Sequence, residues 1–122
     1  MTVWGEPRRL HQVLLNLTTN ALQHVPDGGH VWLTLARCDG ALRVEVQDDG
    51  PGIPPDKLAR VFDRFYRTDG ARARVDGGTG LGLPIARAIV EAHAGRISAS
   101  NAAQGGAVFS VWLPTEIGRA HV

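Results

Sequence analysis

A single cysteine, Cys38, in 122 residues excludes an internal disulfide framework and any cysteine-rich metal centre, and it suits a reducing compartment. Neither sign of charge dominates: thirteen Lys and Arg stand against twelve Asp and Glu, a formal net charge of +1. That balance does not call for nucleic acid as a partner, and none is expected. Long apolar runs are missing, the longest falling far short of the ~18 residues that span a bilayer. The opening MTVWGEPRR also lacks the apolar stretch of a signal peptide. The chain is therefore expected to be cytoplasmic and to make no direct membrane contact, whatever anchors its parent. Internal repeats and coiled-coil heptads are lacking as well.

What is present fits one domain with one core, burying roughly two-thirds of the unfolded surface. We place it at residues 1–115. The last residues, EIGRAHV, follow a natural strand stop at Leu113-Pro114 and carry no periodicity. They match the in-frame translation of a common sequencing-library adapter, so 116–122 is read as a non-native tail.

From Pro7 to His24 the apolar Leu10, Val13, Leu14, Leu17 and Ala21 recur at three- and four-residue spacing, which predicts an amphipathic helix stopped at Pro26-Asp27-Gly28-Gly29. Val31, Leu33 and Leu35 then alternate with Trp32, Thr34 and Ala36. Asp39-Gly40 supplies a two-residue turn, and Leu42, Val44 and Val46 alternate again. The pattern is a β-hairpin with one inward face. A glycine- and proline-rich stretch from 49 to 80 is far longer than the usual connection of about 4 to 6 residues and so is functional or disordered. Beyond it, Leu83, Ile85, Ala86, Ile89, Val90 and His93 mark a second amphipathic helix ending at Gly95. Ile97 and Ala99, then Phe109, Val111 and Leu113, make a second antiparallel pair. Helix, two strands, long loop, helix, two strands predicts an α/β (α+β) two-layer sandwich, helices on one face of a largely antiparallel sheet.

Three features stand where packing alone does not want them. Asp48 shares the parity of Leu42, Val44 and Val46, so its carboxylate points to the buried face, which is costly unless hydrogen-bonded. A purine amino group would satisfy it, since a carboxylate only accepts; an Asp that merely caps the turn is the alternative, and fits Asp49 better. Gly50 and Gly52 would let a flat ring approach the backbone. Asn16 and Asn20, four apart, share one face of the first helix with His24 beyond them. Two stacked amides can offer oxygens to Mg²⁺, which is typically held by one or two protein oxygens plus phosphates and waters. Amides simply exposed to solvent are the plainer reading of either alone, and His24 reads as a wall or hydrogen-bonding residue. Last, Gly78, Gly80 and Gly82 precede a helix although each costs about 1 kcal/mol of order relative to alanine. Bare amides at a helix N-terminus suit a phosphate, yet the spacing is neither the Walker nor the Rossmann pattern. Among the nearby arginines only Arg67 is given weight toward polyphosphate charge.

On these residues the chain resembles the catalytic and ATP-binding domain of sensor histidine kinases. RRLHQVLLNLTTNALQH resembles the N box of that family, DDGPGI the first glycine box, VFDRFYR the phenylalanine box and GTGLGLPIARAIVEAHAGRI the second glycine box. The resemblance covers nearly all of residues 5 to 114. It implies the Bergerat, or GHKL, fold, with a mixed and mostly antiparallel sheet of about five strands on about three helices, and binding of ATP with Mg²⁺ under a mobile lid at 54–79. By the same resemblance Asn20 is the magnesium ligand and, with Asn16, catalytic, and Asp48 reads adenine. Gln23, His24, Gly50, Gly52, Ile53, Phe65, Tyr66, Arg67, Gly78, Thr79, Gly80, Leu81, Gly82 and Leu83 complete the nucleotide site, while Phe62 and Phe65 anchor the lid. The implied partners are a histidine-containing dimerisation domain, absent here, and a response regulator receiver domain.

There are departures. Gln23 stands where many relatives carry Lys or Arg, removing one cationic contact. Glu6 stands for Asp, Pro84 for Ser or Ala, and Ala94 for a glycine, an exchange expected to matter little. Relatives that hydrolyse ATP carry a glutamate where this chain has Asn16. An amide cannot take a proton from water, so phosphoryl transfer is favoured over hydrolysis. An anti-sigma-type serine kinase or a nucleotide-binding interaction module of the same fold are the competing readings.

Overall fold

A computed structural model describes residues 5–63 and 82–114. Helix α1 runs Pro7–His24, its first turn started by Pro7 and its end set by Val25, extended at φ −88° and ψ 145° ahead of Pro26. Strand β1 (Val31–Cys38) turns through Asp39 (φ 40°) and Gly40 (φ 79°) into β2 (Ala41–Asp48). Two successive positive φ values are the turn that matches strand twist. A 3₁₀ helix covers Pro55–Arg60. Helix α2 spans Gly82–Ala92, and β3 (Arg96–Asn101) and β4 (Ala107–Pro114) complete the chain.

The strands lie in the order β1-β2-β4-β3, every pair antiparallel. Among the described residues there are thus four strands rather than about five, and no parallel pair. Both helices lie on one face. Val13, Leu17 and Ala21 of α1 and Ala86, Ile89 and Val90 of α2 meet Val44 and Val46 of β2 and Phe109, Val111 and Leu113 of β4. The three-and-four spacing read along each helix is the stripe that makes this contact. Phe62 stands edge-on to Phe109, ring centroids 6.1 Å apart, so the segment leaving the 3₁₀ helix is seated on the core.

The register places Leu33 opposite Val46 and Leu35 opposite Val44, hence on the helix side of the sheet. Yet Leu33 is 53% and Leu35 64% exposed. The inward face predicted for β1 exists and Val31 packs against the core, but Leu33 and Leu35 on the same face stay exposed. Helix α2 ends with Ala94 at φ 62°. The Ala94 N–H bonds the carbonyl of Glu91 at 3.0 Å and the Gly95 N–H that of Val90 at 2.9 Å, the paired bonds that close a helix through a left-handed residue. Alanine there is strained, so the exchange expected to be minor carries a cost. No helix among the described residues is long and apolar enough to cross a membrane.

Candidate functional site

The last residue of β2 sits where strand alternation sends it. Asp48 is 1% exposed on the helix side of the sheet. Its Oδ1 accepts two backbone N–H groups, from Gly50 at 2.9 Å and from Ala107 at 3.2 Å. No described residue donates to Oδ2. Burying a carboxylate with only one oxygen engaged leaves accepting capacity that a donor from outside can fill.

The loop after Asp48 is moulded to its surroundings. A Cβ at Gly50 would run into the carbonyl of His24, and Gly52 holds φ 80° with Asn101 Oδ1 2.9 Å from where its Cβ would be. Glycine is required at both. Ile53 follows, buried among the core residues, its backbone held by Asn101, which accepts the Ile53 N–H at 2.8 Å and donates to the Ile53 carbonyl at 2.7 Å. Beside Asp48, Asp49 points outward and binds the start of β1. Its Oδ1 accepts the His30 N–H at 2.8 Å, and its Oδ2 lies 3.0 Å from His30 Nδ1. Those hydrogen bonds, the backbone one first, hold the Asp49 carboxyl below its ordinary value of 3.8. Asp48 is the buried residue, as its parity suggested, but it also caps the turn through the Gly50 N–H, the role expected to fit Asp49 better; Asp49 instead ties the turn to His30.

Along α1, Asn16 reaches across to the start of α2, where its Nδ2 donates to the Gly82 carbonyl at 2.9 Å while its Oδ1 accepts from Gln12 Nε2 at 2.6 Å. Both ends of that amide are engaged. One turn on, the Asn20 carboxamide, half-buried, bonds no described residue; the backbone carbonyl of Asn20 accepts His24 Nδ1–H at 2.7 Å. Gln23 and His24 are half-buried at the helix end, where the His24 carbonyl lies against Gly50. Gly82 and Leu83 open α2, with Leu83 against the core.

The structure therefore gathers Asp48, Gly50, Gly52 and Ile53 at one end, joined through Gly50 to the His24 turn of α1, and Asn16 with Gly82 at the other, Asn20 lying between on α1. Phe65, Tyr66, Arg67, Gly78, Thr79, Gly80 and Leu81, and the lid beyond residue 63, lie outside the described residues. Two participants went unread in the sequence. Gln12 anchors Asn16, for which the only signal was its position four residues earlier. Asn101 clamps Ile53, and an asparagine closing a strand looks like a turn-former.

A profile of the family described as histidine kinase-, DNA gyrase B- and HSP90-like ATPases matches residues 5–117. The chain is 43% identical over 116 residues to the signal transduction histidine-protein kinase BaeS of Escherichia coli, covering 95% of this chain and 25% of that protein. It is 48% identical over 111 residues to AfsQ2 of Streptomyces coelicolor, a histidine-protein kinase of which 20% is covered by 91% of this chain. It thus spans a quarter or less of these relatives. Among solved structures, the mycobacterial sensor histidine kinase MprB superposes with a TM-score of 0.85 at 34% identity, over 93% of this chain and 76% of that one. Full-length ShkA in complex with AMPPNP superposes at 0.75 and 37% identity, over 88% of this chain and 21% of that one. The chain belongs to the histidine kinase-, DNA gyrase B- and HSP90-like ATPase family, as a catalytic domain of the sensor histidine kinase type.

Proposed function

We propose that this domain binds ATP with the purine amino group on Asp48 and passes the γ-phosphoryl group to a histidine of a separate helical dimerisation domain, from which a response regulator receiver domain takes it. The observation that carries the reading is the buried Asp48 carboxylate, one oxygen tied to Gly50 and Ala107 and the other without a donor among the described residues. An exocyclic amine presents the N–H that this oxygen lacks, while Gly50 and Gly52 leave room for a ring beside it. ATP binding is supported by the family and by the AMPPNP complex of ShkA.

The triphosphate then extends toward the N-terminus of α2, where backbone N–H groups and the helix dipole favour anions. Mg²⁺ fits Asn20 on α1, whose neutral carboxamide oxygen has no described partner, the kind of ligand the ion takes beside phosphates and waters. When bound, the ion offsets phosphate charge. Asn16 locks α1 to α2 through Gly82 and, being an amide, has no basic site for a water proton. Transfer thus depends on an incoming imidazole: its nitrogen bonds phosphorus, the bond to the β-phosphate oxygen breaks, ADP leaves, and the ring proton goes to solvent.

The test is to mix this chain, Mg-ATP and dimerisation domains from the matched kinases and assay acid-labile, base-stable phosphohistidine. Label on the acceptor histidine is expected, with negligible release of phosphate from the chain alone. ATP binding without label on any acceptor would instead leave a nucleotide-binding interaction module.

A further inference from the structure

Asn101 is the last residue of β3, exposed to solvent and outside every motif read above. Its carboxamide makes two short bonds to a single residue: Oδ1 accepts the Ile53 N–H at 2.8 Å, and Nδ2 donates to the Ile53 carbonyl at 2.7 Å. That exchange is the one a residue makes with its partner in an antiparallel ladder. One side chain stands in for a strand.

The loop so held is the one that borders Asp48. Its first end is tied to the β3–β4 hairpin through Asp48 Oδ1, which gathers the Gly50 and Ala107 N–H groups. Its second end is tied to the same hairpin through Asn101. The hairpin is itself closed by the Ala102 N–H on the Gly106 carbonyl and the Gly105 N–H on the Ala102 carbonyl. Between the two ties stand only Pro51 and Gly52, and Pro51 has no N–H to offer. The Ile53 N–H is engaged by Asn101. A loosened loop could swing such a donor onto Oδ2 and fill from within the acceptor that the ligand needs.

We infer that Asn101 is a positioning residue of the base-recognising end, holding Gly50–Ile53 so that Asp48 Oδ2 stays open to the purine. The inference rests on the reading of Asp48 as purine acceptor and adds a residue on another strand. Asn101→Ala removes both bonds. Asn101→Asp is nearly isosteric and keeps only the acceptor, setting an oxygen against the Ile53 carbonyl.

Both variants and the wild-type chain are titrated with Mg-ATP and with Mg-ITP, which lacks the amine, in competition with a fluorescent ATP analogue; Ile53 amide exchange is followed by NMR. Expected for both variants is ATP affinity weakened about ten-fold with little change for ITP, and faster exchange at Ile53 but not within β2 or β4. Unchanged ATP affinity, or equal losses for ATP and ITP, would overturn the inference. A wild-type chain that binds neither nucleotide, or both equally, would instead overturn the purine reading beneath it.

Discussion

Single residues at the end of β2 carry opposite duties one position apart. Asp48 is buried and half-satisfied, while Asp49 is exposed and bound by His30 from backbone and ring. Because folding holds the Asp49 carboxyl below its ordinary value, its contribution is present above the ordinary carboxylate range and is lost as pH falls through the lower folded value. Melting curves of wild type and Asp49→Asn should accordingly differ slightly at neutral pH and converge in strong acid. A gap that widens on acidification would contradict the assignment. Gly50→Ala is expected to be far more damaging, since the new methyl meets the His24 carbonyl. A loss of about 2 kcal/mol or more, by denaturant titration, is expected from such a backbone clash. The parity that sends Asp48 inward could be read from alternation alone. The tie from Asn101 could not, because nothing local in sequence says that a strand-ending amide will pair with a loop 48 residues away.

At the level of elements, hydrophobic period placed the two helices and four strands among the described residues, most of which bury a stripe or face against the same core. Two properties escaped it. The cover over β1 depends on what lies above it rather than on its own alternation, so Leu33 and Leu35 keep an inward orientation without burial. Leu35→Ser should therefore change stability by no more than about 0.5 kcal/mol, whereas Val46→Ala, in the buried row on β2, should cost about 2 kcal/mol. Equal costs would mean that β1 is covered in solution. The other property is the end of α2, where alanine takes the left-handed position that glycine favours. Ala94→Gly should raise stability by about 0.5 to 1 kcal/mol through relief of that strain, read as a higher denaturation midpoint at constant slope. A lower midpoint would show that the extra freedom of the unfolded glycine outweighs the strain removed.

Across the described residues, one sheet face carries two helices, and the candidate site runs from the sheet floor at Asp48 to the α1–α2 junction at Asn16 and Gly82. The proposed purine end was legible because a carboxylate on an apolar face breaks the rule that packing sets. The proposed phosphate end was legible chiefly as glycine spacing, most of which falls outside the described residues. The floor is therefore the place to test the assignment. Mg-ATP is titrated into ¹⁵N-labelled chain, wild type and Asp48→Ala, while the Gly50 and Ala107 amides, both donors to Asp48 Oδ1, are observed. Saturable shifts at both amides in the wild type, absent from the variant with its sheet resonances preserved, are expected. Shifts confined to the outer sheet face, or none at millimolar nucleotide, would contradict a purine site at Asp48.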